Sequence, residues 1–393
     1  MNQITNPKNC TGCAACSLLC PVNCITMCND SEGFSVPQID QTRCTDCGIC
    51  ENKCPENVRP AFIENSCTKA FGARHKDDAL RIKSASGGVF AGIAINILKN
   101  YNGAVFGCAF DNNIVARHIC ITDAKDIGLL QSSKYVQSDV SDTYLQAKNL
   151  LEQGKTVFYT GCPCQIAGLY AFLGKNYDNL LTADLICHGV PSPLLFKRYL
   201  GWLGKKLGGN VIYYNFRHKQ KNEQGSFIMA KTKTKTKIIP KPNDVHYNAF
   251  NAARTLRESC YSCKYASANR VGDITLGDFW GIKDIHPEFR DSREAMSIVL
   301  VNNEKGERFV KEIYNEFYVV DSIVSKVLKS QRSLYVPKPR PELRDTAYAH
   351  INNETVNIFK EAAFKLSTKA VLKKYIPPFI LKAFRAVKRK LKN

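Results

Sequence analysis

Eight cysteines at two repeated spacings constrain this chain more than any other feature. Cys10, Cys13, Cys16 and Cys20 are followed by Pro21, and Cys44, Cys47, Cys50 and Cys54 by Pro55, so C-x2-C-x2-C-x3-C-P occurs twice. Three thiolates of one tight loop can wrap three corners of a 4Fe-4S cubane, while the fourth, turned away by the proline, reaches the other cluster. The spacing therefore predicts crossed ligation: Cys10, Cys13, Cys16 and Cys54 at one cluster, and Cys44, Cys47, Cys50 and Cys20 at the other. A structural zinc prefers two C-x2-C pairs and has no use for the triplet. Cys24 and Cys28 follow Cys20 too closely to replace any member and read as small apolar positions.

The chain holds 18 cysteines in 393 residues, bunched rather than spread, and at that length it needs no disulfide staples. Asn2, Thr5, Asn6 and Lys8 interrupt any basic stretch and apolar run at the start, so a cytoplasmic protein with reduced thiols is expected. With 44% hydrophobic and 23% charged residues, a packed core is expected and a disordered or fibrous chain is excluded.

Three segments follow. Residues 1–60 read as an α+β, ferredoxin-type domain carrying both clusters. Residues 61–340 have ordinary globular composition. Apolar runs at 105–110, 156–160 and 180–186 have strand length, and 87–99 and 141–153 read as helices, the second begun by Ser141. Strands alternating with helices argue for an α/β domain. The Lys-Thr alternation over 231–237 puts every Lys on one face and reads as a solvated edge strand. Residues 341–393 read as a linker and a basic tail. Nine Lys and Arg and no acid lie in 369–393, out of a net charge of +20. Ile380, Phe384, Val387 and Leu391 at helical spacing make the end an amphipathic helix. Such a helix suits an anionic membrane surface, which would place the protein peripherally on the inner face of the cell membrane. Nucleic acid is not expected as a partner, since no aromatic stacking module accompanies the charge.

A second cysteine constellation lies in the globular segment. Cys162 and Cys164 end one strand run, Cys187 and His188 end another, and Cys260 and Cys263 precede 273–280. Cofactors gather at the carboxyl ends of strands in α/β sheets, so these cysteines can converge. Here Ser86-Gly87-Gly88, Gly161-x-Pro163-Cys164-Gln165, Cys187-His188-Gly189-Val190-Pro191, the Cys260/Cys263 pair and 272–280 resemble the coenzyme F420 hydrogenase/dehydrogenase beta-subunit family, including members with an N-terminal two-cluster ferredoxin domain. The resemblance runs over about residues 1 to 340. It implies a flavin-binding α/β domain, with Cys164, Cys187, Cys260 and Cys263 as ligands of a third 4Fe-4S cluster. Cys162 stands where the family shows Thr, and its role is open.

The expected flavin, FAD or FMN, would set its phosphate near the amides of Ser86, Gly87 and Gly88, with Arg270 and Asp273 at its border. No G-x-G-x-x-G follows a strand, so a Rossmann dinucleotide site is not supported. His188 is the candidate proton relay. A flavin can exchange two electrons with a substrate and one with a cluster. The expectation is therefore a flavin-dependent iron-sulfur oxidoreductase. It would move electrons between its clusters and a hydride donor or acceptor, with a redox partner protein or small hydride carrier. The basic tail points to cell-envelope polysaccharide biosynthesis as its setting. A non-catalytic electron-transfer subunit of a larger complex is the alternative.

Overall fold

The computed structural model describes residues 3–58, 65–220 and 225–366. The amphipathic helix expected over 369–393 lies outside them. No helix among the described residues is long and apolar enough to cross a membrane.

The first 58 residues form a small module. Two short helices, Ala15–Leu19 and Ile49–Asn52, flank an antiparallel hairpin of Ile25–Asn29 with Ser35–Ile39. Each helix is entered through a left-handed residue, Ala14 (φ 62°) and Gly48 (φ 72°), which reverses the chain inside each C-x2-C-x2-C loop. The module's apolar core is Ile4, Ile25 and the thiols of Cys20, Cys24 and Cys50. So little apolar surface cannot hold a fold of this size, and bound clusters and docking must supply the rest.

The remainder is built on an eight-stranded mixed sheet. Its strands, in chain order, are β1 (Lys69–His75), β2 (Ala104–Phe110), β3 (Ala116–Ile121), β4 (Val157–Gly161), β5 (Leu180–Leu185), β6 (Ile274–Asp278), β7 (Ser297–Val301) and β8 (Phe317–Ser322). Their order across the sheet is β8-β1-β7-β6-β5-β4-β2-β3. Strands β2, β4, β5 and β6 run parallel, and β3 and β7 run against them. All of β4 and β7 is buried because both faces are covered. Alternate side chains serve opposite layers. Val105, Phe158 and Leu181 join Ile93 and Ile97 of helix α1 (Val89–Asn100) on one face. Phe106, Tyr159 and Leu180 meet helices α2 (Thr143–Glu152) and α3 (Pro163–Leu173) on the other. Ser141 does not start α2 as expected. It sits left-handed at φ 47°, and Asp142 takes the cap position without a side-chain hydrogen bond.

Two other expectations change. The 231–237 run is not one strand. It turns at Thr232, whose amide donates to the Lys235 carbonyl at 2.8 Å, so Lys231 ends one strand and Lys237 lies in the next of a three-stranded sheet. Short exposed strands suffice there because lysines keep the edge solvated. The expected linker from 341 is packed structure up to residue 366. Ile351, Ile358, Phe359 and Phe364 are buried against Leu195, Phe196 and Tyr199 of helix α4 (Pro193–Leu207), a burial that polar flanking residues and three prolines concealed.

Helix α5 (Leu343–Tyr348) also reaches the N-terminal module. Arg344 donates to Glu32 at 2.6 Å and to the Leu256 carbonyl at 3.0 Å, and its side chain is 1% exposed. Replacing Arg344 with Met is expected to cost about 2–3 kcal/mol, read as a lower unfolding temperature.

Candidate metal centres and redox site

Cys10, Cys13, Cys16 and Cys54 line one cavity of the N-terminal module, with Pro55 and Glu56 beside them. Cys20, Cys44, Cys47 and Cys50 line a second, together with Cys24. Thus Cys54 stands with the thiols of the first repeat, and Cys20 with those of the second. Cys24 is no simple filler: its sulfur lies 3.4 Å from the Cys20 sulfur, and its amide donates to that sulfur at 3.3 Å. Asn23, left-handed at φ 50°, turns the chain back to allow it. Cys28 lies in the hairpin opposite Val36 and lines neither cavity.

The donor chemistry fits iron-sulfur clusters. Among the described residues no three His, Cys, Asp or Glu side chains converge as a site for a metal ion. Thiols spread around a cavity suit a cluster, which takes one thiolate per iron. Burial pushes the Cys13 thiol up to about 12, reinforced by repulsion from Cys10 and Cys54. Without a cation the Cys13 sulfur stays protonated at pH 7. Bound iron reverses that balance and expels the protons.

A third group of thiols lies at the carboxyl edge of the sheet. Strand β4 ends at Gly161 and α3 begins at Pro163, which sets Cys162 and Cys164 at the junction. The Gln165 side chain accepts from the Cys162 amide at 3.0 Å and holds the turn. Cys187 follows β5, and Cys260 and Cys263 come from the helical turn Glu258–Ser262. Burial raises Cys260 to about 12 and Cys263 to about 11, with Cys187 adding repulsion to both. Cys164 is raised by burial and then by Cys187, Cys263 and Cys260, so these four expected ligands are neighbours. Cys187 is the exception. Its sulfur and that of Cys162 are hydrogen-bonded at 3.8 Å, a contact that lowers the Cys187 pKa despite burial, and the Gly189 amide donates to Cys187 at 3.3 Å. Cys162 is therefore a fifth thiol of this group.

The first and third groups meet across α3. A Cβ on Gly168 would come within 3.1 Å of the Cys13 sulfur and 2.8 Å of its Cβ. Glu56 acts electrostatically on Cys13 and Cys54 on one side and on Cys164 and Cys263 on the other. Arg257 fastens the joint, donating to the Cys10 carbonyl at 2.7 Å and to Gln137 at 3.1 Å. Gln137 in turn donates to the Thr11 carbonyl at 3.2 Å.

The residues expected around a flavin are placed differently. The Gly87 amide donates to the Ser297 hydroxyl at 2.9 Å, and the Ser86 hydroxyl to the Met296 carbonyl at 2.9 Å. Gly87 is glycine because a Cβ there would strike the Ala73 carbonyl at 2.2 Å. The turn is thus fixed to the sheet, and the Gly87 amide is not open to a phosphate. Arg270 is 1% exposed and spent on Asp184, at 2.8 Å, on Thr275 and on three carbonyls. It stands behind Cys187, whose thiolate it favours, rather than beside a flavin. Asp273 precedes β6, at the amino edge of the sheet, where it accepts from Thr182 and pairs with Lys305. It too cannot border a ligand at the carboxyl edge. His188 donates from Nε2 to the Phe250 carbonyl, 3.1 Å away, and burial pushes its pKa down to about 4, so it is neutral at pH 7. A group of cations beside Ser86, missed in the sequence, offers better chemistry for a phosphate. Arg217 donates to the Ala85 carbonyl at 2.8 Å and Lys219 to that of Ser86 at 2.7 Å.

Residues 9–58 match the family model of the 4Fe-4S dicluster domain, and residues 154–325 match that of the C terminus of the coenzyme F420 hydrogenase/dehydrogenase beta subunit. The N-terminal module is a dicluster domain and the central segment belongs to that beta-subunit family. Cys162, Cys164, Cys187, Cys260 and Cys263 all fall within the second match, and Ser86–Gly88 does not. An uncharacterized protein of Methanocaldococcus jannaschii is 24% identical over 350 residues, spanning 82% of this chain and 91% of its own. A chain of the F420-reducing NiFe hydrogenase complex from Methanosarcina barkeri is similar at 14% identity and a TM-score of 0.47, over 75% of this chain and 95% of that one.

Substituting Gly168 with Leu is expected to displace Cys13 and lower bound iron. Gly201→Leu, on a helix face with nothing within 4 Å, should leave the iron unchanged. Iron and sulfide analysis of anaerobically purified protein checks both.

Proposed function

We propose that this iron-sulfur redox protein is a flavin-dependent oxidoreductase with three clusters. The observation that carries the reading is the joint at α3, where Cys13 of the dicluster domain packs on the helix whose first turn holds Cys164. Two sets of thiols that close suit electron exchange between a ferredoxin domain and the domain it is fused to. Cys10, Cys13, Cys16 and Cys54 would hold the first cluster, Cys20, Cys44, Cys47 and Cys50 the second, and Cys164, Cys187, Cys260 and Cys263 the third. Bound clusters supply one-electron steps, and FAD or FMN would supply the two-electron exchange with substrate. The chain's own contributions are distinct. Arg270 and the Gly189 amide favour the Cys187 thiolate, while neutral His188 ties the cysteine loop to Phe250.

The matched family is named for a subunit, which favours a second reading, an electron-transfer protein that needs a partner enzyme. The membrane role and the polysaccharide setting rest on the tail outside the described residues.

Three cubanes would give about twelve iron atoms per chain. Exchanging both Cys260 and Cys263 for Ser should remove about a third of them and leave the dicluster signals in electron paramagnetic resonance. Retention of all the iron would remove the third cluster from the scheme. Cys162→Ser should keep its iron. Wild-type protein that binds neither FAD nor FMN under anaerobic conditions would leave the electron-transfer reading in place.

A further inference from the structure

Three cationic side chains near the carboxyl edge of the sheet have few anionic partners among the described residues. Arg217, Lys219 and Lys241 are 5%, 4% and 7% exposed. Among carboxylates of the described residues, Asp278 pairs with Arg217 through both oxygens, at 2.6 and 2.9 Å. Among the described residues Lys219 donates to the carbonyls of Arg81 and Ser86, at 2.9 and 2.7 Å. The Lys241 ammonium has no carboxylate or carbonyl partner among the described residues. It faces the rings of Tyr247 and Tyr135, 5.1 and 6.0 Å from their centroids. The Arg217 Nε is buried without a hydrogen-bond partner among the described residues.

Charge buried in this way is costly unless an opposite charge completes it. Among the described residues one carboxylate, Asp278, acts on both lysines, and Arg217 acts on both as well. Burial disfavours the charged form of both lysines, Arg217 adds to that, and Asp278 opposes it. The deficit is therefore local, and a group with at least one negative charge and several acceptor oxygens would satisfy both the lysines and the orphaned nitrogen. Phosphate has that chemistry. We infer that Lys219, Lys241 and Arg217 form a binding site for a phosphate or phosphoanhydride group.

Its position gives the site a use. Asp278 ends β6 at the carboxyl edge of the sheet, where cofactors and substrates of α/β folds lie. From Tyr135 the Phe250 ring is 4.8 Å away and stacked, and the His188 ring is 4.8 Å beyond that. His188 adjoins Cys187, so two ring contacts separate the cations from the third thiol group. A phosphorylated molecule held by Lys241 would thus lie on the cysteine side of the sheet. Its source is either the flavin itself, which deepens the reading above, or a phosphorylated substrate, which does not depend on it.

The test titrates inorganic pyrophosphate, FMN, FAD and riboflavin into the full chain purified anaerobically. The same titrations are made with Lys241→Gln and Lys241→Arg variants matched in iron content and circular dichroism. Wild-type protein should bind pyrophosphate, Lys241→Gln should weaken it by about tenfold or more, and Lys241→Arg should restore most of it. If pyrophosphate displaces FMN or FAD and Lys241→Gln weakens them but not riboflavin, the phosphate is the flavin's. If the variant loses pyrophosphate but keeps FMN and FAD affinity, the site serves a phosphorylated substrate. Binding of pyrophosphate without any flavin would overturn the flavin reading and leave the site standing. Should Lys241→Gln fail to fold, protection of Lys241 from acetylation by pyrophosphate reads the same contact in the wild type. No pyrophosphate binding by the wild type, or equal binding by Lys241→Gln, overturns the site.

Discussion

Thiols buried next to one another resist ionisation, since each is short of water and each thiolate repels the next, and three groups in this chain are built against that resistance. The raised Cys13, Cys260 and Cys263 thiols show the cost directly. A protein does not gather such groups for stability, because smaller apolar residues would pack as well without the electrostatic penalty. The arrangement becomes favourable once a cationic centre is bound, so folding and loading are linked. The N-terminal module depends on this most, its core being largely cysteine.

How the module meets the rest follows from the same economy of space. Gly168 keeps the sulfur of Cys13 against α3, and Arg257 ties the Cys10 carbonyl to Gln137. The two parts are not strung on a tether. Their thiol groups face one another through a helix turn and a buried carboxylate, and the geometry of the joint sets how electrons could pass.

Much of this was legible in the sequence. The two cysteine repeats fix which thiols can share a cavity, and the apolar runs located β2, β4 and β5 to within a residue or two, because buried parallel strands lack polar interruptions. Other features depend on local turn geometry or on contacts remote in sequence. Cys24 and Cys162 join thiol groups only through local turns and strand ends. Gly87 resembles a phosphate-binding glycine, yet its small size is required by the neighbouring Ala73 carbonyl. Arg270 and Asp273 lie three residues apart but take different partners, Arg270 the Asp184 carboxylate and Asp273 the Thr182 amide and hydroxyl. Lys219 and Lys241 carry no motif, since two strands of a separate sheet bring them to Ser86 and Tyr135.

The ion pair of Arg344 with Glu32 joins residues more than three hundred positions apart, which has a consequence for biogenesis. Synthesis at roughly 5–20 residues per second leaves the N-terminal module without that fastening for about 15–60 s after it emerges. Gly168 and Arg257, which meet the module at Cys13 and Cys10, are made earlier, so Arg344 is a late fastening. Once the latch closes, Glu32 and the loop around it are pinned, and the order in which the chain is made becomes the order in which the module is fastened.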